Sequence, residues 1–293
     1  MRIICLCFLL FFAASSCEKK QPASSKPIVL VSVPSYLYFV ERIAGDTVSA
    51  LSLTPPGANP HIYEPTPKEV QQFRQAALWI RLGEPSEKKT YTVLKEQSRG
   101  MRIVAITEDI PLLPISEGEH AVGKAHHHCS HHAESSDLHI WLSPRLAQKQ
   151  AQTIARHLSE LLPQNKEQYN KALNAFLSEL QDLDKEITSL LASKSGSAVL
   201  VSHPAFAYFC QDYHLSQFSI EIEGKEPLPQ DVTTILNMAK KHKIAHVIIE
   251  PQYSDKGAQL IAENLEVPVY VVDPYSQEYM KNVRYIAEII AKS

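Results

Sequence analysis

The stretch Asn165-Lys-Glu-Gln-Tyr-Asn-Lys-Ala-Leu-Asn-Ala-Phe-Leu-Ser-Glu-Leu-Gln-Asp-Leu-Asp-Lys-Glu-Ile-Thr-Ser-Leu-Leu-Ala-Ser193 decides how the rest of the chain is read. Its apolar positions Leu173, Phe176, Leu177, Leu180, Leu183, Ile187 and Leu190 recur at steps of three and four, and no proline or glycine interrupts them. That period predicts one amphipathic helix of roughly 40 Å at 1.5 Å per residue. Pro163 and Gly196 bound the run. A helix of this length can serve as a coiled-coil arm, but here complete sets of alternating elements flank it on both sides. It therefore reads as a rigid spine joining two domains, one that limits how far they hinge.

Outward from the spine, short runs rich in branched apolar residues alternate with segments of helical period. Residues 28–33, 48–53, 77–82 and 101–106 read as strands before the spine, and 198–202, 217–220, 246–250 and 267–272 after it. Residues 36–44, 67–75, 230–242 and 254–264 fit helices between them. The expected fold is α/β: two βα lobes with parallel sheets, at 28–163 and 196–293, joined by one long backbone helix at 164–195, with a cleft between the lobes.

The amino terminus stands apart. Met1-Arg2 and the apolar run that follows, ending in Ala14-Ser15-Ser16, have the form of an export signal covering residues 1–16. At about a dozen residues the run is shorter than the roughly 20 that span a bilayer. Small residues directly before Cys17, then the polar and Pro/Ser-rich tether of 17–27, resemble a bacterial lipoprotein signal in which Cys17 carries the lipid; Ala14 stands where that signal usually has Leu. A plain secretory signal is the alternative. With Cys5 and Cys7 in the signal and Cys17 acylated, only Cys129 and Cys210 are left to pair, so no disulfide framework holds the fold.

Composition narrows the function. The 293 residues are 44% hydrophobic and 21% charged, enough apolar material for one large or two medium cores and not the make-up of a disordered chain. Net charge is −3, and no basic stretch is interleaved with aromatics, which argues against a nucleic-acid partner. The nine glycines form neither a P-loop nor a dinucleotide fingerprint. Histidine is the densest signal: six of 13 lie between His120 and His132. His120, His126, His127, His128, His131 and His132, with Cys129 among them, sit in a segment (117–136) with no apolar period. It is expected to be a loop that captures zinc or copper weakly, since ordering it costs entropy with each ligand recruited.

A tight site must lie elsewhere. His61, His139, His203 and Asp273 fall at or just beyond the carboxyl ends of the expected strands, two in each lobe. In open α/β sheets that is the edge where ligands bind. Each alone is also explained as a loop residue or cap; jointly, three nitrogens and one carboxylate close a tetrahedral shell of the kind zinc takes. Cys210 and Trp141 read as core packing. His157, His214, His242 and His246 have no partner pattern.

Five motifs, Pro-Gly-Ala-Asn-Pro-His61-Ile-Tyr-Glu-Pro-Thr-Pro, Asp-Leu-His139-Ile-Trp-Leu-Ser-Pro, Ser-His203-Pro-Ala-Phe-Ala-Tyr-Phe, Glu221-Ile-Glu-Gly-Lys-Glu-Pro and Asp273-Pro-Tyr, carry a resemblance that runs from about Ile28 to the end. The chain resembles the metal-binding, substrate-binding lipoproteins of bacterial ATP-binding-cassette (ABC) importers for zinc, manganese or iron, the zinc-uptake and adhesin-type lipoproteins. That resemblance implies two lobes across a backbone helix, His61, His139, His203 and Asp273 as metal ligands, an ABC permease as partner, a lipid anchor in the membrane, a monomer, and a periplasmic or cell-surface location. Departures are Leu138 where Pro is common, Ser143 where Asp is common, and Tyr275 where Leu is usual; none replaces a ligand. An imidazole at position 203, where manganese-type relatives often have Glu, and the His-rich insert both favour Zn2+, with Mn2+ or Fe2+ as the alternative. Because the imidazoles bind only when neutral, affinity is expected to decline below about pH 6. Glu64, Glu221 and Glu250 are candidates for outer partners or a substitute fourth ligand.

The expected protein is thus an extracytoplasmic metal receptor with no catalysis. The alternative from another class is an exported zinc hydrolase, which needs an open position for water and a nearby general base; no His-Glu-x-x-His stretch occurs. An adhesin would instead show exposed apolar patches away from the cleft.

Overall fold

The computed structural model describes residues 26–115, 136–222 and 225–292. The lipidation candidate Cys17 and the whole capture cluster, His120, His126, His127, His128, Cys129, His131 and His132, lie outside the described residues.

The first lobe runs β1 (Ile28–Val31), α1 (Ser35–Ala44), β2 (Ser49–Ser52), α2 (Pro67–Phe73), β3 (Ala76–Arg81), α3 (Glu87–Gln97) and β4 (Arg102–Ala105). Two helices follow, α4 (Pro144–Leu161) and the long α5 (Lys166–Leu191). The second lobe runs β5 (Ala198–Val201), α6 (Ala207–Asp212), β6 (Ser216–Ser219), α7 (Pro229–Lys241), β7 (Val247–Ile249), α8 (Lys256–Leu265), β8 (Val269–Val271) and α9 (Tyr279–Ala291). Both sheets are wholly parallel, in the orders β2-β1-β3-β4 and β6-β5-β7-β8. All eight expected strands form, six of them shorter than the apolar run that announced them, with β3 and β6 shifted one residue toward the amino terminus at unchanged length.

Parallel strands are buried on both faces, and the strands here show the consequence. Val29 and Val31 of β1 face one apolar cluster and Leu30 the opposite one, as a side-chain period of two requires. In the second sheet Val199 and Val201 face inward while Leu200 joins the outer cluster with Val247, Ile249 and Ile261. The inner faces of both sheets share one continuous core with the buried stripe of α5, Tyr169, Phe176, Leu180, Leu183, Ile187 and Leu191.

The spine, 26 residues and about 39 Å long, packs against α1 of the first lobe, α9 of the second, and α4. It is therefore a wall of the shared core as well as a connection. Phe176 sits edge-on to Phe39 with ring centroids 5.2 Å apart, and Phe39 meets Tyr279 of α9 at 4.8 Å. Polar ties cross between the lobes above this layer. Trp141 Nε1 donates to Pro274 O at 2.8 Å, Tyr279 Oη donates to the Trp141 carbonyl at 2.7 Å, and Tyr208 Oη donates to the Asp137 carbonyl at 2.7 Å. Trp141 packs, as expected, and also staples the lobes together.

Candidate metal centre

In each sheet the chain moves to one side from the first strand and then to the other, so a topological switch point falls between β1 and β3 and again between β5 and β7. The two crevices face one another, and the site residues come from the loops around them.

His61 lies in the loop after β2. Pro55 to Ala58 forms a tight turn closed by Ala58 N–H donating to Pro55 O, with Gly57 at φ 81°, a conformation open to glycine. The Asn59 side chain then accepts the His61 N–H at 2.9 Å, and Thr66 with Glu69 makes a reciprocal capping box that starts α2 and fixes the far end of the loop. His139 is held in the same manner, with Asp137 Oδ1 accepting its backbone N–H at 2.9 Å. A short 3-10 turn and the Ser143 cap of α4 follow. His203 comes directly off β5, between Ser202, whose Oγ accepts Glu250 N–H, and Pro204.

The three imidazoles meet. Their ring centroids are 5.3, 5.0 and 5.3 Å apart, and one nitrogen from each lies within 4.8 Å of the other two. Every ring is aimed by a carboxylate at Nδ1: Glu84 for His61 at 2.9 Å, Asp137 for His139 at 2.8 Å, and Glu221 for His203 at 3.0 Å. An Nδ1–H spent on a carboxylate fixes the tautomer whose Nε2 lone pair points inward, the arrangement that accompanies metal-ligating histidine. His203 Nε2 is buried and has no hydrogen-bond partner.

Asp273 is not in the group of mutually close ligand atoms. Its Oδ1 accepts from Gln252 Nε2 at 2.7 Å and from the Tyr275 N–H at 3.0 Å. What stands beside the triad instead is the Tyr275 hydroxyl, 3.1 Å from His139 Nε2 and 3.4 Å from His61 Nε2.

Electrostatics separates His61 from His203. Burial pulls the His61 pKa down, but the hydrogen bond and charge of Glu84 outweigh it, and the net displacement is upward. His203 goes well below its ordinary value, through burial and then the charges of His139 and His61. Glu84 is held below the usual carboxylate range because its bond to His61 more than offsets its own burial.

Glu250 is buried with neither carboxylate oxygen hydrogen-bonded, and burial with the nearby charges of Glu221 and Asp273 drives its pKa well up. Glu64 lies on the surface, paired with Lys89 at 2.6 Å. Cys210 is a buried free thiol whose burial pushes its pKa up to about 12, a packing residue and not a ligand. Asp137 and Glu84 carry positioning contacts that the motifs did not assign. Asp137 stood inside a quoted motif, and Glu84, just past β3, sits at the same strand edge that singled out the histidines. A cleft of about 730 Å³ opens over the triad, with Leu112, Leu138 and the exposed Ile62 on its walls.

Comparison with known proteins agrees with this fold. Residues 29–293 match the family model for the periplasmic component A of zinc-uptake complexes (ZnuA). A Chlamydia trachomatis serovar D protein is 31% identical over 99% of both chains. The high-affinity zinc uptake system protein ZnuA of Bacillus subtilis strain 168 is 30% identical over 97% of this chain and 92% of its own. Among solved structures, a ZnuA crystal structure superposes with a TM-score of 0.83 at 33% identity, covering 92% of this chain and 99% of that one. A zinc-bound deletion mutant of ZnuA gives 0.81 at 33%, covering 91% and 97%. With its two parallel-sheet lobes across a long helix and its inward-facing imidazoles, the chain belongs to the ZnuA family of zinc-uptake substrate-binding proteins.

Proposed function

We propose that this protein is an extracytoplasmic receptor that holds one Zn2+ between His61, His139 and His203 and delivers it to an ABC-type permease. The observation that carries the reading is the convergence of three imidazoles, each with Nδ1 bound to a carboxylate, on one point at the cleft floor. Three nitrogen donors suit zinc better than a hard-oxygen cation. The relatives' names, zinc uptake and zinc binding, support the same cargo, and a Streptococcus cristatus relative named as a metal ABC transporter substrate-binding lipoprotein supports the permease partner and the lipid anchor. In this reading Cys17 tethers the chain to the membrane, and His120 to His132 with Cys129 hold further metal more weakly.

The carboxylates that touch the imidazoles favour a carrier over a hydrolase. Glu84, Asp137 and Glu221 are spent behind the rings, on Nδ1, whereas a general base would have to face the metal-bound water. Among the described residues no helix is long and apolar enough to cross a membrane. The test is chelator-competition titration with Zn2+. His203→Ala is expected to abolish the tight site while leaving weaker binding by the His-rich segment. Unchanged tight binding in that variant refutes the assignment.

A further inference from the structure

Three imidazoles leave one vertex of a tetrahedral shell open, and the geometry points to a donor for it. Zinc bonds of about 2.0 to 2.1 Å put neighbouring donor atoms about 3.3 Å apart. The Tyr275 hydroxyl oxygen stands at 3.1 and 3.4 Å from two of the three nitrogens. We propose that Tyr275 Oη, and not a carboxylate oxygen of Asp273, is the fourth donor to the metal ion, an inference that rests on the receptor reading above.

The surroundings fix that phenol where it is needed. Its ring is buried, packed on Trp141 with centroids 5.4 Å apart and on His139 at 6.2 Å. Its backbone N–H is tied to Asp273 Oδ1, and the preceding Pro274 carbonyl accepts from Trp141 Nε1 and from Ser35 Oγ. Asp273 therefore acts as a positioning residue: its Oδ1 holds Gln252 and the Tyr275 main chain. Ordering the side chain is an entropy cost already met in folding, so binding a metal need not order it again.

In the metal-free protein the hydroxyl donates to an imidazole Nε2, the lone pair that the cation needs. Binding exchanges that O–H···N bond for bonds from the metal to both atoms, and the phenolic proton leaves to water. No oxidant or reductant is involved. An oxygen donor fixed by packing also rejects cations whose bond lengths do not fit, which gives the site a means of selection beyond its three nitrogens.

Equilibrium titration with Zn2+ against a competing chelator, on the full chain, tests the assignment with Tyr275→Phe, Asp273→Asn and His203→Ala. Tyr275→Phe removes only the hydroxyl and keeps the packing, which thermal denaturation of the metal-free variant verifies. It is expected to weaken Zn2+ by about tenfold or more. The ultraviolet difference spectrum of an ionised tyrosine is expected when Zn2+ is added to the wild type, and its absence in Tyr275→Phe. Asp273→Asn, whose amide oxygen still accepts the Tyr275 N–H, is expected to lose less and to keep the tyrosine signal. Equal or tighter binding by Tyr275→Phe, a wild type without the signal, or a larger loss in Asp273→Asn overturns the inference. His203→Ala tells the two readings apart, because tight binding retained there removes the receptor site itself, whereas its loss there with Tyr275→Phe intact removes only the fourth donor.

Discussion

Replacing Glu84 by Gln isolates the part a carboxylate plays behind a metal-ligating imidazole. Glu84 is buried, its Oε2 lies 2.9 Å from His61 Nδ1, and its pKa is displaced downward, so the acceptor is a charged one. The amide keeps the shape and one acceptor oxygen but loses the charge. A hydrogen bond to a charged group contributes roughly 1.5–3 kcal/mol and a neutral one about 0.5–1.5, so the exchange costs on the order of 1–1.5 kcal/mol. That corresponds to about tenfold in Kd. Glu84→Ala leaves the Nδ1–H without this acceptor and is expected to lose roughly a hundredfold, the upper end for partners of metal-bound histidine. Chelator competition at neutral pH reads both constants, and circular dichroism of the metal-free proteins shows whether the fold is retained. The ordering wild type, Gln, Ala is the signature. If both variants bind Zn2+ within twofold of wild type while remaining folded, the carboxylate is structural and the reasoning fails.

The pH response follows from the same pair. Metal requires neutral His61, whose pKa is raised, so a proton competes at higher pH than for an ordinary imidazole near 6.5. As pH drops through that raised value the proton on His61 is expected to add about tenfold per pH unit to the loss of Zn2+ affinity, on top of the slope set by the proton Tyr275 releases, and this steepening is expected to begin above the pH 6 read from sequence; His203, with its pKa lowered, adds no competition there. A titration of apparent Kd against pH that stays flat down to 6 contradicts this. Phe176→Ala empties part of the core shared by α1, α5 and α9 and is expected to cost about 3–5 kcal/mol in urea denaturation. Because that core is continuous across both lobes, probes in either lobe are expected to report one transition, and two separated transitions would deny the shared core. Deleting residues 120–132 is expected to lower the number of Zn2+ ions bound while leaving the tight constant unchanged, as counted by metal analysis of dialysed protein; loss of the tight constant would place ligands within that segment.

The amino-acid sequence by itself determined the elements. A period of three and four between Leu173 and Leu190 calls for α5 wherever the chain goes, and doubly buried runs such as 28–33 and 198–202 call for parallel strands, because those patterns are local. It also marked His61, His139, His203 and Asp273, of which His203 and Asp273 follow directly on strands, and, at Asp-Leu-His139 and Ser-His203-Pro, the loops that carry two of the imidazoles. Helices α3, α4 and α9 are not among the helical stretches read from the sequence, and the burial that holds them comes from neighbours distant in sequence. Which marked residues meet was decided only by tertiary structure. His61 and Tyr275 are 214 positions apart, and their 3.4 Å approach depends on how two sheets face each other across a common core, information that no local spacing holds. The same packing turned Asp273 toward Gln252 and set Glu84 behind His61. An isolated carboxylate in a sequence is free to pair with any cation or donor that folding brings near, so its partner is fixed by the fold and not by its place in the chain.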